Sequence, residues 1–95
     1  MKGYWIAHVD ITDPEQYSLY TQRGPAAFAL YGGRFLARGG PSESLEGRPT
    51  PQRSVIIEFE SYDQAVACYN SPEYQAALAL RKGAAQADII IVQGV

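Results

Sequence analysis

Several features that would narrow the function are scarce in this sequence. It holds one cysteine, Cys68, and one histidine, His8. A single thiol excludes an internal disulfide and a cysteine metal cluster, and one imidazole cannot build a histidine-rich metal site. We therefore expect no metal and no cofactor, and we expect a reduced, cytoplasmic protein.

Charge of one sign and long apolar runs are also missing. The 8 basic and 10 acidic side chains are mixed along the chain and give a net charge of −2. This balance predicts no nucleic-acid partner and no polybasic contact with a membrane. No apolar run approaches the roughly 20 residues of a membrane helix, and residues 1–5 do not resemble a signal peptide. We predict one soluble domain over residues 1–95, with a core thin enough to gain from oligomerisation.

Alternation and helix-start signals predict the order strand, helix, strand, strand, helix, strand. Asp13 and Pro14 form an N-cap followed by a first-turn proline, and Ser61 and Ser71 start helical segments in the second half. Pro25 removes a hydrogen bond inside the first helix and predicts a kink or two segments. The predicted strands cover residues 3–11, 34–38, 53–60 and 88–93. The first helix is predicted to end near residue 31, and the second helical region at residue 83. Residues 39–51 form a long loop rich in glycine and proline, and loops of this length are often functional.

This order is that of the ferredoxin-like βαββαβ fold, an α+β class with a four-stranded antiparallel sheet and its helices on one face. Strand side chains alternate between the two faces of the sheet. The apolar set that includes Trp5, Ala7 and Val9 is expected to lie under the helices. The opposite face is mixed, with the apolar Tyr4, Ile6, Leu36 and Ile56 beside the polar His8, Asp10, Arg38 and Glu58.

The mixed face predicts a partner. An antiparallel sheet face that is open to water seldom carries so many aliphatic and aromatic groups. Burying them at about 25 cal/mol per Å² would drive association, and the simplest partner is a second copy related by a two-fold axis. We predict a homodimer with its sheets face to face, a dimeric α/β barrel. A monomer with a half-solvated sheet is the alternative.

His8, Asp10, Arg38 and Glu58 are the candidates for catalysis. One imidazole, two carboxylates and one guanidinium on one face could shift each other's pKa values. His8 or Asp10 would remove a proton from an activated carbon, and Arg38 would hold the developing oxyanion. The alternative is an ion-pair network that satisfies these charges at the dimer interface.

Three further residues are candidates for ligand binding. Tyr17 and Tyr20 are three residues apart on the first helix and share a face, so their hydroxyls could reach a ligand; ordinary packing is the alternative. Glu46 in the long loop, with the nearby Arg48 and Arg53, could belong to a lid or an acid–base clamp. The alternative is a surface hairpin that pairs its own charges or crosses to the second subunit. Cys68 shares a core-facing helix side with Ala65 and is expected to be inert.

Six segments occur in order along nearly the whole chain: Gly3-Tyr4-Trp5-Ile6, Asp13-Pro14-Glu15-x-Tyr17, Tyr31-Gly32-Gly33-Arg34-Phe35-Leu36-x-Arg38-Gly39-Gly40, Leu45-Glu46-Gly47, Val55-Ile56-Ile57-Glu58-Phe59 and Tyr69-x-Ser71-Pro72-Glu73-Tyr74. With them the chain resembles the bacterial domain-of-unknown-function family 1330 (DUF 1330). The resemblance implies a dimeric α/β barrel, in a superfamily that includes cofactor-free quinol monooxygenases, muconolactone isomerases and haem-degrading enzymes. The family has no established activity and implies no catalytic residue, so an enzyme inferred from the superfamily is fold-level analogy.

Two functions are compatible with these residues. The first is a cofactor-free, monooxygenase- or isomerase-like enzyme that transfers a proton on a small aromatic or unsaturated molecule in the dimer cleft. It requires an enclosed pocket of about 300 Å³ or more beside His8, Asp10 and Arg38. The second is a non-catalytic homodimer, either small-molecule-binding or structural, in which the charged cluster sets the register of the two copies.

Overall fold

The computed structural model describes residues 1–95 as one four-stranded sheet and three helices. The elements are β1 (Gly3–Ile11), α1 (Pro14–Leu30), β2 (Arg34–Arg38), β3 (Arg53–Phe59), α2 (Tyr62–Tyr69), α3 (Pro72–Arg81) and β4 (Ala85–Gln93). The strand order is β2-β3-β1-β4, and every neighbouring pair is antiparallel. The predicted ferredoxin-like α+β fold is confirmed, with its second helical region divided into α2 and α3.

Each helix begins at the predicted N-cap. The side chains of Asp13, Ser61 and Ser71 each accept a hydrogen bond from the backbone N–H three residues later, which satisfies one of the free donors at a helix start. Gln16 and Gln64 stand three residues after the N-caps of α1 and α2, and their side chains hydrogen-bond to other elements instead of to the N-cap residue. Gln16 Nε2 donates to the Leu80 carbonyl and Gln64 Nε2 donates to the Tyr31 carbonyl, so these side chains tie neighbouring elements together.

The structure differs from the sequence prediction at Pro25 and at the start of β4. The helix α1 is continuous through Pro25, so the expectation of two segments is wrong. The proline ring removes one backbone hydrogen bond, and the helical turns before and after it continue in the same helix. The strand β4 begins at Ala85, three residues before the predicted start at Asp88, because Ala85 and Gln86 continue the antiparallel ladder with β1.

The core is an aromatic layer between the sheet and the helices, centred on Trp5. The Trp5 ring centroid lies 4.8 Å from that of Tyr74, 5.0 Å from Phe28, 5.7 Å from Tyr69 and 6.2 Å from Phe59. Aromatic pairs at these separations add about 0.5–1.5 kcal/mol each beyond the area they bury. One strand residue therefore joins all three helices to the sheet.

The opposite side of the sheet, which we call the open face, is not covered by a helix. Ile90, which pairs with Ile6, is 61% exposed, and Val92, which pairs with Tyr4, is 45% exposed. At the other end of this face, Arg48 of the long loop forms an ion pair with Asp88 of β4. The loop thus covers one end of the open face, and the apolar end stays bare in the single chain.

None of the three helices combines the length and the apolar character required to cross a membrane.

We expect Gly3 to be intolerant of any side chain. A Cβ built on Gly3 would lie 2.5 Å from the backbone carbonyl oxygen of Ser61, at the start of α2. Gly3→Ala should lower the free energy of unfolding by about 1–3 kcal/mol, because backbone must move to relieve the overlap. The control is Gly40→Ala, where no atom lies within 4 Å of the built Cβ; it should change this energy by about 1 kcal/mol or less. Equal effects in urea denaturation would contradict the close approach.

Candidate functional site

His8 and Asp10 lie on the open face, each with its own polar partner. His8 Nδ1 is 2.9 Å from Ser54 Oγ, and Asp10 Oδ1 accepts a hydrogen bond of 3.0 Å from the Gln52 backbone N–H. His8 borders a groove of about 180 Å³ that is open to solvent and lined mainly by polar loop residues. Within the single chain, no enclosed pocket of about 300 Å³ lies beside His8, Asp10 and Arg38; the pocket that the enzyme hypothesis expects in the dimer cleft stays a prediction.

Glu58 is engaged in an ion pair on the same face. Its carboxylate lies 2.8 Å from the Arg34 guanidinium and accepts a hydrogen bond of 3.2 Å from the Tyr4 hydroxyl. The pair joins Glu58 to Arg34, which is not one of the four candidates, and the ion-pair network at the dimer interface stays a prediction. A catalytic role for Glu58 stays a prediction and would require this pair to open.

Arg38 does not share a face with the other three candidates, and that prediction is wrong. The pairing of β2 with β3 slips between Phe35 and Ala37, so that Arg38 is aligned with the inward-facing Val55. The guanidinium carbon of Arg38 lies 4.2 Å from the centroid of the Phe35 ring, on the helix side of the sheet. A β-bulge adds one residue to a strand, and every later side chain changes face. Alternation counted through Leu36 therefore placed Arg38 on the wrong side.

A cavity of about 40 Å³ lies on the helix side, between α1 and the sheet. It offers room for about three water molecules. Tyr17 and Tyr20 both line it, so their predicted shared face is confirmed. Tyr17 is also part of the buried core, which is what the packing alternative expects; ligand binding by either tyrosine stays a prediction. The wall further includes Trp5, Phe28, Phe35, Arg38, Arg53 and Arg81.

Three arginines line this cavity, and none of them forms a salt bridge. The three ion pairs of the chain use Lys2, Arg34 and Arg48 as their cations. Arg81 is only 8% exposed, and its guanidinium carbon lies 5.2 Å from the centroid of the Tyr20 ring. The Nε atom of Arg53 is buried without a hydrogen-bond partner.

Sequence reasoning did not single out Arg81, and it considered Arg53 only as part of a lid or clamp beside the long loop. One signal was available for Arg81: it lies on the buried stripe of α3, seven residues after Tyr74 and four residues after Ala77. An arginine on an apolar helix stripe indicates a charge with little access to water. Arg53 stands at the first position of β3, where exposure is common, so its position offered no reason to place it beside the two tyrosines of α1.

The phenols beside Arg81 are held neutral by burial. Desolvation raises the pKa of Tyr20, and it raises the pKa of Tyr74 more strongly; the Arg81 charge opposes both shifts. The two hydroxyls share a hydrogen bond of 2.9 Å. The cavity wall therefore combines cationic guanidinium groups with neutral hydroxyls.

The remaining candidates lie apart from the cavity. Glu46 is exposed and borders only a groove formed by residues 44–50 of its own loop, so the structure does not bring the predicted lid residue to a ligand site. Cys68 is buried with Ala65 in the core, as predicted, and burial raises the pKa of its thiol to about 12. No three His, Cys, Asp or Glu side chains converge in a way that could hold a metal ion.

Comparison with solved structures supports the class of fold. The chain is similar to a protein of unknown function from Rhodopseudomonas palustris, with 20% identity over 99% of this chain and 82% of that chain and a TM-score of 0.76. It is similar to SnoaB, a cofactor-independent oxygenase from Streptomyces nogalater, with 11% identity over 99% and 93% of the chains and a TM-score of 0.64. A third is a dimeric ferredoxin-like protein of unknown function from Thermobifida fusca, with 17% identity over 99% and 92% and a TM-score of 0.59. At such identities these similarities show the ferredoxin-like fold.

Within this fold the family can be stated. Residues 2–95 match the family model described as "Domain of unknown function (DUF1330)", and the chain belongs to that family. The resemblance seen in the sequence segments is thereby confirmed. No curated protein matches the chain.

Stability should fall at alkaline pH because of the buried hydroxyls and thiol. Their pKa values are raised in the folded state, whereas in the unfolded chain a thiol titrates near about 8.5 and a phenol near about 10. The unfolded state then loses protons that the folded state keeps, so the free energy of unfolding should decrease as pH rises above about 9.

Tyr74→Phe should make this decrease shallower between pH 10 and 11, measured by urea denaturation at each pH. The control Tyr62→Phe removes a tyrosine that is 40% exposed and should leave the slope as in the parent chain. Identical slopes for the two variants would contradict the assignment to Tyr74.

Proposed function

We propose that the protein is a homodimer that binds a small organic molecule in the cavity between α1 and the sheet. The observation that carries the proposal is a cavity in the middle of a packed aromatic layer, at which arginine and tyrosine side chains converge. Protein interiors are normally filled, and a pocket with apolar walls and a few convergent polar groups is the usual form of a ligand site. The cavity alone is smaller than the roughly 300 Å³ of such a site, and it reaches this size only together with the open groove that adjoins it. His8 and Asp10 are separated from this cavity by the sheet.

Gly24 in α1 lines the cavity, and the backbone conformation at this position does not require a glycine. Its φ is not positive, and a Cβ built there would lie 3.6 Å from Phe28 and 3.8 Å from Tyr20, an ordinary contact distance. Glycine in a helix interior costs about 0.5–1 kcal/mol relative to alanine. An alanine would fit at position 24 and would stabilise the helix, but its methyl group would narrow the cavity. The glycine therefore supports the proposal that the cavity holds a ligand.

An open groove beside the cavity gives room for a larger ligand. It runs along β4, has a volume of about 410 Å³ and is lined by Tyr62, Val66, Tyr69, Ala87 and Ile91. Arg81 and Ile89 line both spaces and stand between them. A molecule larger than the cavity would extend into this groove once the Arg81 side chain swings aside.

The homodimer is proposed from the open face. Its bare apolar end, which includes Ile6, Ile90 and Val92, would be buried if two sheets pack face to face. Similar structures from Thermobifida fusca and Bacteroides fragilis are described as dimeric. A reducing cytoplasm is the compartment we propose, because Cys68 is free and buried.

An enzymatic role is the second candidate, favoured by the guanidinium groups at the cavity. Arg38, Arg53 and Arg81 could stabilise an oxyanion that develops on a bound molecule. Because His8 and Asp10 lie on the open face, they could not act as the base in this cavity. The substrate of such an enzyme would have to be acidic enough to lose its proton without their help. SnoaB, which has the same fold, is described as a cofactor-independent oxygenase.

The ligand site is tested with a panel of acetate, acrylate, benzoate and their amides. We expect at least one of these to shift the amide resonances of cavity residues such as Gly24 and Phe28 in NMR titrations. Gly24→Ala should weaken that binding and raise the free energy of unfolding by about 0.5–1 kcal/mol. Gly40→Ala, at a residue that does not line the cavity and has no atom within 4 Å of the built Cβ, should leave binding unchanged. A panel that leaves the cavity resonances unmoved would count against the proposal.

The dimer is tested by charging the open face. Ile90→Lys should convert the dimer to a monomer of 10.4 kDa in light scattering, because a buried apolar contact would become a buried charge. Leu30→Lys, which alters an equally exposed apolar side chain on α1, should stay dimeric. A parent chain that is monomeric at working concentrations would contradict the proposed assembly.

A further inference from the structure

We infer that the ligand of this cavity is an anion, namely a small carboxylate with an unsaturated or aromatic body, and that Arg81 and Arg53 bind its carboxylate. The inference rests on the proposed ligand site and adds the chemical class of the ligand.

Arg81 carries the first step. The residue is only 8% exposed, and its side chain forms no salt bridge. A charge with so little contact with water is normally paired. Its guanidinium, at the carboxyl end of α3, lies 5.2 Å from the Tyr20 ring and borders the open groove along β4, so the contact with water that remains is on that side. A ligand carboxylate would supply the missing counter-charge.

Arg53 adds a donor that no protein atom uses. Its Nε is buried without an acceptor, and buried N–H groups are almost always hydrogen-bonded in native structures. The side chain passes close over Gly39, where a built Cβ would lie 2.6 Å from Arg53 Nη1. Gly39 has a positive φ of 76°, which favours glycine, and the lack of a side chain there also leaves room for the Arg53 guanidinium. An acceptor on the ligand would satisfy the free Nε.

The charge around the cavity has one sign. Arg38, Arg53 and Arg81 line it, and no carboxylate does. The acids on the open face are engaged elsewhere, Glu58 with Arg34 and Asp88 with Arg48. A planar guanidinium binds any small anion by its charge, and it matches a carboxylate in addition with two parallel hydrogen bonds.

The rest of the wall selects the body of the ligand. Trp5, Phe28 and Phe35 present aromatic surface to the cavity, and such surface favours a flat, apolar group next to the charged end. In the closed form the space of about 40 Å³ suits an acid of a few heavy atoms. An aromatic acid would occupy the neighbouring groove as well.

The competing explanation is that the arginines only pack, with Arg81 stacked on Tyr20 and Arg38 on Phe35. Packing alone gives no preference between an acid and its neutral amide, which has nearly the same shape. The comparison of acid with amide therefore separates the two explanations in the unmodified protein.

The experiment titrates acrylate against acrylamide and benzoate against benzamide at pH 7 and constant ionic strength, with NMR readout at the cavity residues. We expect the carboxylate of at least one pair to bind about tenfold to a hundredfold more tightly than its amide. Amides that bind as tightly as the acids would overturn the inference and leave the proposed ligand site standing. Failure of all four compounds to reach the cavity would overturn both.

Arg81→Met and Arg53→Met should each reduce the preference for the acid, and Arg23→Met is the matched control. Arg23 is an exposed arginine of α1, one residue before Gly24, and it does not line the cavity. If Arg81→Met does not fold, Arg53→Met carries the test. A full preference for the acid in a folded Arg81→Met or Arg53→Met variant would contradict the role assigned to that arginine.

Discussion

The position of every helix in this protein depends on the packing of aromatic rings around Trp5. Phe28 of α1, Tyr69 of α2 and Tyr74 of α3 all contact this one side chain of β1, so the three helices are held at a common height above the sheet. Gly24 contributes no side chain to this aromatic layer, so the layer is not completely filled beneath α1 and a cavity remains there. The cavity is a consequence of how the core is packed, which is why it is bounded by rigid aromatic groups.

The sheet separates the charges of the chain into two environments. The imidazole and the carboxylates of its central strands lie on the open face, where they find polar partners, whereas arginines enter the layer between sheet and helices. One extra residue at Leu36 decides to which side Arg38 belongs. A chain with a net charge of −2 thereby has a mainly apolar cavity at which the only charged groups are three arginines. The electrostatic potential at a site is set mainly by the charged groups close to it, so the net charge of the chain does not indicate the sign of that potential.

Local signals in the sequence were sufficient for most of the fold. Asp13-Pro14 and Ser71-Pro72 mark helix starts by their own chemistry, and the alternation around Trp5 separates the two sheet faces without knowledge of the partner strands. The site was predictable only in part. Tyr17 and Tyr20 were identified because helical spacing puts them on one face, but a β-bulge has no local sequence signal when an ordinary strand residue forms it. Cavity volume depends on how side chains from distant segments pack, and periodicity contains no information on that.

The proposed function and the proposed class of ligand both depend on anion binding in the cavity on the helix side of the sheet. Anomalous diffraction from crystals grown in sodium bromide tests this directly, since bromide is a small anion that scatters strongly and requires no knowledge of the natural ligand. We expect a bromide peak inside the cavity, in contact with Arg81 and within reach of Arg53. Bromide bound only at exposed cations such as Arg23, with the guanidinium of Arg81 paired to a protein carboxylate or turned out to solvent, would contradict this expectation.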